Sequence, residues 1–88
     1  MSSYSALDIA RALNAHNVKL QEALPLLDRI WSDESSYLLP KYQKNARVFR
    51  RAVLYCIFYL AYIKNKKAPD AEFTSIKQQC RELGIHLR

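Results

Sequence analysis

The sequence predicts an all-α protein, a small bundle of four or five helices with one long central helix, and it predicts a dimer. Three observations carry this reading. The 88 residues include one glycine and three prolines, too few for the tight turns of a sheet protein. Tyr42, Ala46, Phe49, Val53, Cys56, Leu60 and Ile63 step by four and three, the a/d spacing of a helical seam. Shorter apolar stripes at helical spacing lie before and after this segment, each bounded by capping residues or proline.

The first helix is expected over Ala6 to Ala15. Ser5 stands three residues before Asp8 in the capping-box arrangement, Ala6, Ile9, Ala10 and Leu13 share one face, and His16 and Asn17 end the segment. Asn17 is placed to cap a second segment whose apolar positions are Val18, Leu20, Ala23, Leu24, Leu27, Ile30 and Trp31. Pro25 leaves two readings of it, a kinked helix from Val18 to Trp31 or a turn followed by a helix starting at Pro25. Ser32 to Ser36 is a polar connector, and Tyr37, Leu38 and Leu39 form a short packed tether.

Pro40 suits the first turn of the long helix, where its missing donor costs nothing. The aromatic and β-branched content of Val53 to Ile63 also fits a strand; the seam, unbroken through the charged first half, favours helix. Lys64 to Lys67 ends the run with cations near a helix C-terminus. A last helix follows over about Asp70 to Leu83, with Phe73, Ile76, Cys80 and Leu83 on one stripe and Gly84 as its left-handed cap.

A chain of this length fits one domain, spanning residues 1–88 or forming a module of a longer protein. It buries only about 60 to 65% of its unfolded surface, so self-association is a natural source of further burial. Its net charge of +6 is unevenly spread. Residues 1–40 carry three basic and five acidic side chains, net −2, and residues 41–88 carry eleven and three, net +8. Such an asymmetry steers acidic partners, orients a head-to-tail contact, or is spent inside the fold.

Charge and apolar character meet between Lys41 and Lys67, which hold eight basic residues, no acidic one, and ten consecutive apolar or aromatic residues from Leu54 to Ile63. On one continuous helix, Lys44, Arg47 and Arg51 fall within about 60° of one another, with Lys41 and Arg50 on the flanks. Such a row fits a phosphate backbone, and an ordinary solvated face fits it equally well. Lys64, Lys66 and Lys67 form a second cluster, read first as solubilising lysines. Farther along the same helix Leu54, Tyr55, Phe58, Tyr59 and Tyr62 make the surface apolar nearly all round, which implies burial against other helices or a second subunit. Packing, rather than base stacking, is the expected role of these aromatic residues and of Trp31.

Enzymatic chemistry finds no support. There is no glycine-rich phosphate loop, metalloprotease motif or nucleophile elbow; His16 and His86 lack metal-ligand spacing, and no cofactor is expected. Cys56 and Cys80 sit in apolar patterns, as buried reduced thiols do. The chain opens without a basic-then-apolar signal sequence, and the apolar run is shorter than a membrane span. The expectation is a cytoplasmic or nuclear protein with no integral membrane association. Two functions fit it: a homo-oligomeric nucleic-acid-binding protein of architectural or regulatory type, including transcription regulation, using Lys41 to Arg51; or a protein-interaction module that reads an acidic partner. Attachment to an anionic membrane surface is a lesser third.

Overall fold

The computed structural model describes residues 4–65, 70–85 and 87. These residues form α1 (Ala6–Ala15), α2 (Leu20–Asp33), a single 3-10 turn (Ser35–Tyr37), α3 (Pro40–Gln43), α4 (Ala46–Asn65) and α5 (Ala71–Glu82), with no strand among them. An isolated bridge joins Tyr4 to Leu38. Lys66, Lys67 and His86 lie outside the described residues.

The helix ends follow local chemistry. The α1 capping box is present, with Ser5 Oγ accepting from Asp8 N–H at 3.1 Å and Asp8 Oδ2 accepting from Ser5 N–H at 3.4 Å. Asn17 does not cap α2 as the sequence predicts. It takes a left-handed φ of 55° and closes α1, with Val18 N–H bonding to Leu13 O and Asn17 N–H to Asn14 O, the two bonds of a Schellman ending. Asparagine tolerates this conformation better than other non-glycine residues. At the start of α2, Glu22 accepts from Lys19 N–H at 3.3 Å. Gly84, at φ 76°, ends α5 as predicted, with Ile85 N–H bonding to Cys80 O.

Of the two readings of the second segment, the single helix through Pro25 holds, with bounds Leu20–Asp33 rather than Val18 to Trp31. The Pro25 ring nitrogen cannot donate to the Gln21 carbonyl, but both residues are exposed, so water reaches the orphaned acceptor.

The long helix from Pro40 is interrupted. α3 ends at Gln43, and α4 begins at Ala46. Asn45 restarts it, because its Oδ1 accepts from Arg47 N–H at 3.0 Å and Val48 N–H at 3.3 Å, the work of an N-cap. The Tyr42 carbonyl, which a continuous helix would use for Ala46, instead accepts from the Trp31 indole at 2.7 Å and from Asn45 N–H at 3.3 Å. Gln43 Nε2 donates to Leu38 O at 2.8 Å and fixes the approach to α3.

α4 is the hub, with α1, α2, α3 and α5 all packed against it. Its contact with α1 is the most extensive. Ala6, Ala10 and Ala52 are buried in the same core cluster, and small side chains allow helices to approach closely. A main cluster gathers Leu27, Leu38, Tyr42, Phe49, Val53 and Cys56; a smaller one joins Tyr59 to Ile76 and Cys80 of α5. The radius of gyration is 12.7 Å, close to the ~12 Å expected for a compact domain of this length.

Pro25→Ala restores a backbone donor without touching the core. Thermal unfolding should show α2 and the domain stabilised by about 1–3 kcal/mol; an unchanged or lowered midpoint would mean that Pro25 contributes something the helix geometry does not account for.

Candidate interaction surfaces

The break before α4 redistributes the basic row. Lys41 turns to the end of α5, where its Nζ donates to Leu83 O at 2.8 Å, a cation at a helix C-terminus. Arg50 faces Asp28 of α2 with Nε 3.6 Å from Oδ1. That nitrogen is buried and has no hydrogen-bond partner, and the side chains are 43% and 59% exposed, so the pair contributes at most about 1 kcal/mol. Arg51 reaches Gln79 of α5 at 3.3 Å and lies over the Tyr55 ring. Lys44 and Arg47 are exposed. With Arg51 they make a cationic elbow at the α3–α4 junction, rather than a row along one continuous helix.

The elbow sits on the positive end of α4. α1, α2 and α5 each carry an acidic residue in their first turn, namely Asp8, Glu22 and Glu72, while α4 carries none. Arginines there oppose the helix dipole, an arrangement that an external anion relieves. The Asn45 side chain already occupies two of the first amides, which leaves the guanidinium groups as the principal donors. Lys64 lies about 120° around α4 from Phe58.

The aromatic half of α4 is divided as well. α5 covers Tyr55, Tyr59 and Tyr62; Tyr59 is buried and stacks on Phe73 at 5.9 Å with an interplanar angle of 10°. Tyr62 packs on the same ring at 5.2 Å. What remains outward is a ridge: half-buried Leu54, Phe58 at 38% exposure, and exposed Ala61, at i, i+4 and i+7 on one face. Arg47 and Arg51 continue this face toward the start of α4. Beyond its other end, a hollow of about 130 Å³ is lined by Phe58, Ala61, Tyr62, Asn65, Ile76 and Glu72.

A second apolar surface lies between α1 and α2. It is a groove of about 500 Å³ with Tyr4, Ile9, Ala12, Leu13, Val18, Leu26 and Ile30 on its walls and Asp8, His16 and Glu34 among its polar lining. The two helices are antiparallel, since Tyr4 before α1 bonds to Tyr37 O after α2 at 2.8 Å and the two rings lie 5.9 Å apart. Asp8 and Glu34 therefore share the end of the groove away from the connector, and His16 lies toward the connector. One weak sign of it is legible in the residues: Leu26 falls off the buried stripe of its helix, but a single exposed leucine carries little information.

The two thiols and the Tyr42 side chain are enclosed. Cys56 of α4 and Cys80 of α5 are both fully buried free thiols. Burial, followed by the neighbouring Cys80, pushes the Cys56 thiol up to about 12. Burial, followed by the two cysteines, does the same for the Tyr42 hydroxyl. Among the described residues, no group of three or more His, Cys, Asp or Glu could hold a metal ion, and no helix is long and apolar enough to cross a membrane.

Fold and surfaces together define a small all-helical module with two uncovered apolar surfaces and a cationic elbow. Compared with protein-family models, curated proteins and solved structures, the chain matches none of them.

The enclosed thiol has a pH consequence. A folded pKa raised above the unfolded value of 9.0 gives stability that is fully present below pH 9 and is lost as pH rises toward about 12. Denaturant unfolding followed at intervals above pH 9 should show this decline, weaker in Cys56→Ala than its starting stability alone explains. An equal slope in both proteins would remove Cys56 as a cause.

Proposed function

We propose that this chain is a protein-interaction module that works through the α1–α2 groove and the α4 ridge. The observation that carries the reading is the groove, an apolar channel with Asp8 and Glu34 at one end. An amphipathic helix presenting apolar residues on one face and cations beside them fits this chemistry. The reading refines the expected recognition of an acidic partner, because the apolar surfaces here carry charges of both signs. Self-association through Leu54 and Phe58 belongs to the same proposal, while Tyr59 is taken up by the protein's own core.

A designed amphipathic helix with leucines on one face and lysines on the other is a suitable probe. Titrated into isotopically labelled protein, it should shift resonances of Ile9, Leu13, Leu26 and Ile30, and Leu26→Glu should weaken binding at least tenfold. Shifts scattered over the whole surface, or binding unaffected by Leu26→Glu, would count against the groove.

Nucleic-acid binding is the second reading, favoured by one specific observation: Lys44, Arg47 and Arg51 surround the start of a 20-residue helix that has no acid in its first turn. Each phosphate contact on duplex DNA contributes about 0.9 to the slope of log K against log salt. Replacing Arg47 and Arg51 by alanine should lower affinity for all sequences and make the slope shallower by about 2. The same slope and affinity in the double variant would set this reading aside.

A further inference from the structure

We infer that the partner of the groove is a second copy of this chain, bound head to tail: the α4 ridge of one copy seats in the α1–α2 groove of the next. The inference rests on the protein-interaction reading and is independent of nucleic-acid binding. The two surfaces match in shape, one a concave channel and the other a convex ridge. They also match in length. Leu54 to Ala61 spans about 10 Å of helix, and Asp8 to His16 spans about 12 Å.

Charge fixes the direction of docking. The groove is acidic at the end away from the α1–α2 connector, where Asp8 and Glu34 stand. Along the ridge Arg47 and Arg51 precede Leu54, while at the other end of α4 Glu72 borders the hollow beyond Phe58 and Lys64 is exposed, so that end carries both signs. Laid with Arg51 toward Glu34, the ridge sets its two arginines against the acidic end of the groove; reversed, it leaves those carboxylates without them. The surfaces lie on different elements, so each copy uses both, and the contact is heterologous. Such contacts build rings or open chains. An isologous α4–α4 pair would instead leave the groove unused.

Complementation between two blocked variants tests the arrangement. Leu26→Glu closes the groove, and Phe58→Glu closes the ridge; both residues are 38% exposed, and circular dichroism checks that each variant folds. Ala61→Glu, at an exposed position, provides a second ridge block. In sedimentation equilibrium, the unmodified protein should gain mass with concentration beyond a dimer, and each variant alone should remain a monomer. An equimolar mixture of groove-blocked and ridge-blocked protein should form a one-to-one dimer, because one intact groove and one intact ridge remain. A mixture that stays monomeric overturns the inference, as does association that Phe58→Glu abolishes and Leu26→Glu leaves intact. So does a native protein that remains monomeric up to about 1 mM. If the designed helix still binds the groove in that last case, the interaction reading survives and only the self-docking falls; if neither is seen, both fall.

Discussion

The hydrogen bond from the Trp31 indole to the Tyr42 carbonyl sets the geometry on which the other contacts depend. It links the end of α2 to the break between α3 and α4, and it satisfies a carbonyl that a continuous helix would have used. Asn45 supplies the matching half by receiving the first amides of α4. Together they turn one amphipathic segment into two helices joined by an elbow. Tyr42, still in the core, faces Phe49 across 5.7 Å, and Lys41 is released to reach the end of α5.

That elbow decides what the positive charge does. On a straight helix the five cations from Lys41 to Arg51 would act as one field. Bent, they separate into a cap for α5, a partner for Asp28, a contact with Gln79, and two exposed side chains, Lys44 and Arg47. Part of the charge asymmetry between the two halves of the sequence is thus spent within the fold. The rest marks the start of α4 as the place where an acidic surface or a phosphate would find donors.

Much of the fold is legible in the residues because it rests on local chemistry. The Ser5–Asp8 box, the α1 boundaries and the left-handed Gly84 follow from short-range patterns. Legibility fails where a distant group competes with a local one. Nothing near Tyr42 signals that Trp31 will take its carbonyl, and Asn17 suits the end of one helix as well as the start of the next. The apolar run was readable as excess burial, but its division was not. α5 takes Tyr59 and Tyr62 while Phe58 stays outward, and Ile63, the last seam position, is 48% exposed near the end of α4. The groove escaped for a related reason, since a channel between helices is a property of their spacing rather than of either sequence.

The placement of α5 also bears on how the domain opens. Its principal packing is against α4, through a cluster smaller than the main core, and its last turn is tied down by Lys41. The hairpin of α1 and α2, with α3 and α4, keeps its own apolar centre without it. Local opening follows such boundaries. The C-terminal helix is therefore the natural unit of partial unfolding, a flap whose release would bare Cys56, Cys80 and the inner faces of Tyr59 and Phe73 while the remaining helices stay assembled.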